Sequence, residues 1–170
     1  MSTNQVNGRE EIMDRHNIYY VPVCTGELLV YYAELINGTI FEFSHHHPFY
    51  EIYYVTKGSI NMRLNNRSFR LKRNHMILIM PGVNHKVDYE PSVDSQFFVI
   101  TFEFYPRAER DIKSRDVIIA RFEMETLMRT VQVHQYFKCI DKFNCNSIIK
   151  KIDMELKNKN LGWNMNVQNL

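Results

Sequence analysis

Between Glu27 and Tyr105 the chain meets a turn signal about every eight to twelve residues, which is too often for helices and is the rhythm of short strands. "ELLVYYAELI" ends at Asn37-Gly38, a pair that favours tight hairpins because both residues tolerate positive φ. "TIFEFSHHH", "YEIYYVTKG" and "SINMRL" follow, then a turn at Asn65-Asn66. "RSFRL", "HMILIM", "HKVDY" and "QFFVITFEF" complete the series, separated by "KRN" and "PGVN" and stopped by Pro106. About eight short strands rich in Tyr, Phe, Val and Ile predict a sandwich or small barrel.

Beyond Pro106 the periodicity changes. "DVIIARFEMETLMRTVQVHQYFKCI" has few turn residues and carries Met124, Leu127, Met128 and Val131 at helical spacing. "NSIIKKIDMELKNKN" predicts a second helix, with Ile149, Ile152 and Leu156 on one stripe and lysines opposite. Asn146 or Ser147 would cap its start, and Gly162 lies just past its end. "WNMNVQNL" reads as a further helix beginning, so the full protein is expected to continue. The expected organisation is a flexible arm over 1–20, a β-barrel over 21–106 and a helical, dimerising region over 107–170.

At 170 residues and 45% hydrophobic, the chain can bury a core of one medium domain. Its net charge of +2 comes without a Lys/Arg block, which argues against nucleic-acid binding by this segment. The 3 cysteines include no CxxC pair, as suits a reducing compartment. Cys139 and Cys145 fall in the helical region and read as idle thiols. The first twenty residues lack the apolar core of a signal peptide, and no apolar run reaches membrane-spanning length. A cytoplasmic protein with no membrane association is the expectation.

The chemistry concentrates in "HHHPFYE". On a strand, alternate residues share a face, so Phe41, Phe43, His45 and His47 would line the interior while Glu42 and His46 point out. Past the Pro48-Phe49 corner, Glu51 can turn to the same interior, with Tyr53 and Val55 behind it. His85, after "PGVN", supplies a distant third imidazole. Two imidazoles at i and i+2, a carboxylate and a third imidazole suit a divalent transition metal such as Zn, Ni, Fe or Mn. The same groups can equally bond one another and water as a structural corner. Ligating histidines must be neutral, so any metal is expected to leave as pH falls below about 6. His16, His75 and His134 are isolated and receive no role.

These residues resemble the two cupin motifs. Gly38 through Gly58 is similar to the first: His45-x-His47, three residues, Glu51, six residues, Gly58. Pro81-Gly82-x-x-His85 is similar to the second, with Asn74 where the family usually has glycine. Asn tolerates the left-handed conformation next best. The gap from Gly38 to His45 is one residue longer than usual, and the family's terminal Asn is not evident. More narrowly, "HHHPFYEIYYVTKGSINMRLNNRSFRLKRNHMILIMPGVNH" with the following helical tail resembles the N-terminal effector-binding domain of AraC-type transcriptional regulators. The resemblance implies a mainly β cupin-type jelly-roll barrel followed by α-helices, and a small-molecule effector, a sugar or other polar metabolite, bound in the barrel. It implies a homodimer formed by the helices, here through Ile149, Ile152 and Leu156. DNA would be contacted only through a C-terminal helix-turn-helix region absent from this chain. The expected ligand-binding residues are His45, His47, Glu51, His85 and Tyr53, with the first four also the metal candidates. Tyr50, Tyr32 and Arg63 are further polar groups near the expected pocket.

Two functions compete, beside the blander alternative of a cupin of purely structural role. One is a non-enzymatic sensor and dimerisation domain of a transcription factor. The other is a metal-dependent cupin enzyme, a dioxygenase or isomerase, in which the metal polarises substrate. The long helical tail and the absence of an obvious catalytic base beyond the ligand set favour the sensor. Fold alone does not decide, because cupins host many functions.

Overall fold

The computed structural model describes residues 19–23, 26–38, 42–88, 90, 94–106 and 115–158. Nine strands and two helices occur among them: β1 (Tyr19–Val23), β2 (Gly26–Asn37), β3 (Tyr50–Lys57), β4 (Ser59–Leu64), β5 (Arg67–Lys72), β6 (His75–Ile79), β7 (His85–Asp88), β8 (Gln96–Pro106), α1 (Arg115–His134), β9 (Tyr136–Ile140) and α2 (Cys145–Asn158). A six-stranded sheet in the order β1-β2-β8-β3-β6-β9 faces a three-stranded sheet in the order β5-β4-β7. The registered pairs are antiparallel, as the jelly-roll expectation requires.

The large sheet explains why its strands read as nearly continuous apolar runs. Both of its faces are covered, so neither alternates cleanly with water. On β3, Glu51, Tyr53 and Val55 turn inward between the sheets, where Val55, Met62, Leu71, Ile77, Ile79, Phe97 and Val99 form a core with 0% exposure. Tyr50 and Ile52 turn outward. They join Val30, Leu78 and Phe102 in a second layer that Leu127 and Val131 of α1 close over. Burying this much apolar side chain, at about 1.5–3 kcal/mol each, is the dominant favourable term for the fold.

Several turns follow the sequence reading. Asn65 (φ 47) and Asn74 (φ 65) occupy the left-handed region, so Asn74 does the work of the usual glycine. Other features differ. Among the described residues no strand after Asn37-Gly38 pairs back on β2 as a hairpin: β2 pairs with β1 and β8, and the next described strand, β3, pairs with β8 and β6. Gly38 (φ 78) instead turns the chain away, its N–H donating to the Ser95 carbonyl at 2.7 Å. The arm expected over 1–20 lies outside the described residues up to 18, and Tyr19-Tyr20 already belong to β1.

The helix expected to run to Ile140 stops at His134. Gln135 (φ 66) breaks it, and Tyr136–Ile140 pairs with β6 as β9. "YFKCI" has strand alternation that the helical run before it hid. Tyr136 packs on the inner core and Phe137 on the outer layer. Cys139 therefore sits on a strand, not on a helix, and Cys145 opens α2.

The start of α2 is held by a residue the sequence reading passed over. Asp141 accepts hydrogen bonds from the Phe143 N–H (2.8 Å) and the Cys145 N–H (2.7 Å), and from the Tyr54 hydroxyl (2.8 Å). Asn146 and Ser147 are not the cap; Ser147 donates back to the Asn144 carbonyl at 3.0 Å. Burial opposes ionisation of Asp141, but these bonds outweigh it and lower its pKa. Asp141→Ala is expected to cost about 1 kcal/mol, the usual worth of a cap, and to lower Tm by roughly 2–4 °C in a domain of this size. With the folded pKa below the unfolded value of about 3.9, the wild-type advantage is complete above that pH. It fades as pH falls through the folded value, so the two melting curves should converge on acidification.

Among the described residues no helix is long and apolar enough to cross a membrane.

Candidate functional site

Residues 42–47 arrive at the open end of the sandwich as irregular chain, not as the strand "TIFEFSHHH" suggested. Only His45 pairs, in an isolated bridge with His85: His45 N–H donates to the His85 carbonyl (3.1 Å) and His85 N–H to the His45 carbonyl (2.9 Å). The expected facing is inverted at its start. Phe43 is 76% exposed and Glu42 is buried. The Glu42 carboxylate accepts the Val87 N–H at 2.6 Å and the Tyr53 hydroxyl at 3.3 Å, taking the place a paired strand would have filled with its backbone carbonyl. Phe41 lies outside the described residues.

The bridge nevertheless delivers the expected quartet. His45, His47, Glu51 and His85 place one ligand atom each within 4.8 Å of one another. Each element contributes for a reason. Glu51 lies on the central strand β3 and faces inward opposite Thr101 of β8 and Ile79 of β6. His85 opens β7. The Gly82 N–H donates to the His47 carbonyl at 2.8 Å, which fixes His47 against the Pro81-Gly82 turn. His46 is exposed, as expected.

The electrostatics are specific. The Nδ1 atoms of His45, His47 and His85 lie 2.9, 3.1 and 2.8 Å from the carbonyls of Phe43, Phe49 and Val83. A carbonyl only accepts, so the Nδ1 atoms of His45 and His85 carry the proton and their Nε2 atoms are left to face the cluster, while His47 Nδ1 also accepts from the Phe49 N–H at 3.4 Å. His85 Nε2 lies 2.5 Å from Glu51 Oε2, and His47 Nε2 lies 3.2 Å from the same oxygen. Two acceptors in contact require a cation between them, either a proton or a metal. His85 Nε2 is itself buried, and a cation shared among the clustered donors, proton or metal, answers this geometry. Burial would raise the Glu51 carboxyl, but the His47 and His85 rings prevail and hold it well below the usual carboxylate range. Burial would lower the His85 imidazole; the adjoining Glu51 carboxylate prevails and raises it.

This donor set fits a divalent transition metal: three imidazoles with their outer nitrogens bonded to carbonyls, and one carboxylate whose second oxygen accepts the Thr101 hydroxyl at 3.3 Å. Glu51 and His85 are 0% and 1% exposed, while His45 and His47 are half-buried and open the cluster to solvent. Thr101 and Glu42 were missed from sequence. Thr101 had a weak signal, as the lone hydroxyl in an otherwise apolar stretch of "QFFVITF".

Tyr53 lies beneath the cluster, fully buried, with its ring edge-on to His85 at 6.3 Å. Tyr50 turns to the opposite face and stacks on Phe102 at 5.5 Å. Arg63 pairs with Asp88 on the small sheet at 3.2 Å, and Tyr32 donates to Glu34 at 2.5 Å. On α2, which packs beside β2, Ile149 and Ile152 are half-buried and Asp153 is buried. The Leu156 side chain lies outside the described residues.

Residues 30–139 match the family model of the AraC-like ligand binding domain. No curated protein matches in sequence. Solved structures with similar folds include ToxT from Vibrio cholerae, at 12% identity over 75% of this chain and 46% of that one, with a TM-score of 0.46. A cupin protein from Bacteroides fragilis aligns at 14% identity over 54% of this chain and 79% of that one, TM-score 0.39. Oxalate decarboxylase from Bacillus subtilis aligns at 13% identity over 63% and 35%, TM-score 0.35. The chain thus spans about half the length of ToxT.

Proposed function

The chain belongs to the AraC-like ligand-binding domain family, and from that premise we propose that it is the effector-sensing half of a cytoplasmic transcriptional regulator whose sensor carries a divalent metal at the barrel mouth. One observation carries the metal: the Nε2 atoms of His47 and His85 crowd one Glu51 oxygen, and the ligand atoms of all four residues lie within 4.8 Å of one another. His45, His47, Glu51 and His85 would hold the ion, and when bound it supplies a Lewis-acidic point that attracts an oxygen or nitrogen donor of an effector. Around it the chain itself does the rest. Thr101 and the three carbonyls orient the donors, and buried Tyr53 excludes water from below. Half-buried His45 and His47 leave the approach open on the solvent side. The inner core beneath is filled by side chains, which favours an effector, sugar or other polar metabolite, that engages the mouth rather than the barrel interior.

Protein purified without nickel resin is expected to contain metal, and His47→Ala and His85→Ala are each expected to deplete it. Retention of full metal content and effector response by both variants would reduce the quartet to a structural corner. The complete ligand set also keeps a metal-dependent cupin enzyme as the second reading. Turnover of a substrate by the metal-loaded domain would favour it.

Dimerisation through α2 belongs to the same reading, with Ile149, Ile152 and Leu156 at the contact and exposed Ile148 beside them. It would pass the effector signal to a DNA-binding segment beyond this chain. Light scattering is expected to give a dimer for the wild type and a folded monomer for Ile152→Glu. A wild type that stays monomeric at high concentration contradicts this interface.

A further inference from the structure

A cleft of about 580 Å³ lies beside the quartet but outside the barrel, between the end of α1 and the rim that follows β6. It is lined by Tyr50, Asn65, Gln132 and Gln135, over a floor formed by Met80 to Val83. Its size falls within the roughly 300–1,000 Å³ of small-molecule sites. Its chemistry is selective. No lining side chain is charged. Three carboxamides and a phenol supply both donors and acceptors, and Met80, Pro81 and Val83 supply an apolar floor. Such walls offer no counter-charge to an anion or cation, and too many polar groups for a lipid chain.

The cleft is also wired to the quartet. The Met80 N–H donates to the Gln135 carbonyl at 3.1 Å, and the Asn65 side-chain amide donates to Gln135 Oε1 at 3.0 Å. The Asn65 N–H donates to the Asn84 carbonyl at 2.7 Å. Two residues of the same rim fix metal candidates: Gly82 donates to the His47 carbonyl, and the Val83 carbonyl accepts from His85 Nδ1. A molecule that presses on the rim must therefore act on the orientation of both imidazoles.

We propose that this cleft is a second binding site, for a neutral polyhydroxylated or amide-bearing metabolite, coupled through the Met80–His85 segment to the His/Glu quartet. The site stands on its own geometry; only the coupling rests on metal binding at the quartet. By linkage, a ligand that changes metal affinity has its own affinity changed by metal by the same factor.

The test is heteronuclear NMR of the whole chain titrated with five probes: myo-inositol, maltose and N-acetylglucosamine as neutral molecules, glucose 6-phosphate as an anion, and palmitate as a lipid. At least one neutral probe is expected to shift the side-chain amides of Asn65, Gln132 and Gln135 saturably. Gln132→Leu, on the exposed surface of α1, should weaken that binding at least ten-fold. Chelator-stripped wild-type protein should still bind the probe saturably, so failure of the metal reading and failure of the cleft are told apart. Adding zinc to wild-type protein is expected to change the probe's affinity at least three-fold. Absence of saturable shifts with all three neutral probes, binding unaffected by Gln132→Leu, or binding only of glucose 6-phosphate or palmitate overturns the site. Equal affinity with and without zinc overturns the coupling.

Discussion

Glu51→Ala is expected to lower the affinity for a divalent metal by at least a hundred-fold and to destabilise the metal-free domain by about 3 kcal/mol, the scale of removing one partner from a buried ionic cluster. Both effects share a cause. Glu51 is the only anion among the four candidate ligands, and it sits wholly inside on a central strand. Its loss leaves the Thr101 hydroxyl and two imidazole nitrogens facing a void that no neighbour fills without disturbing the β3 register. Glu51→Gln separates the contributions. The amide keeps the volume and an acceptor for Thr101 but removes the charge. It should therefore lose metal affinity nearly as far while destabilising the domain much less. Chemical denaturation with chelator present reads the stability, and competition against a zinc-binding dye reads the affinity. A Glu51→Ala protein as stable as wild type, with metal binding intact, would remove Glu51 from the site.

Gly58→Ala is expected to cost about 2–3 kcal/mol, and to lower Tm by roughly 5–10 °C. Gly58 is the corner at which the chain leaves the large sheet after β3 and enters the small one at β4. Its φ of 67 lies in the left-handed region, where a side chain costs roughly 1–2 kcal/mol. A Cβ there would also be driven into the Asp94 backbone carbonyl, which cannot rotate away as a side chain would. Gly38→Ala is the control. Its φ of 78 imposes the same conformational cost, but among the described residues a Cβ would meet nothing within 4 Å. Alanine at Gly38 should cost only about 1 kcal/mol, and the difference between the two variants measures the clash. Equal losses would place the Gly58 requirement in backbone conformation alone.

What could be read from the chain was what local chemistry decides. Strand rhythm gave the two-sheet architecture because turns at Asn65 and Asn74 demand residues that tolerate positive φ, and those residues announce themselves. The metal candidates were legible because each ligand type has few substitutes, and their spacing survives irregular backbone. The facing of "TIFEFSHHH" was not legible. Alternation holds only for a paired strand, and of its described residues, 42–47, His45 alone pairs. Glu42 then turns in to serve Val87 and Tyr53, and Phe43 turns out, against their hydrophobicities. β9 was hidden because "YFKCI" follows a helical run without glycine or proline. What makes it a strand is the unpaired edge of β6, a tertiary fact. Asp141 was missed for a similar reason: its cap requires Tyr54 from a distant strand to hold the carboxylate in place. Thr101 matters only through its register opposite Glu51.

The central claim is that His45, His47, Glu51 and His85 form one metal-binding unit. Calorimetric titration of chelator-stripped wild-type protein with zinc, joined to X-ray absorption at the zinc edge, tests it most directly. The account predicts one equivalent bound per chain, release of about one proton as zinc displaces it from the His85–Glu51 pair, and a coordination shell of imidazole nitrogen and carboxylate oxygen with no sulfur. Absence of saturable binding, or a shell containing sulfur from Cys139 or Cys145, would contradict it.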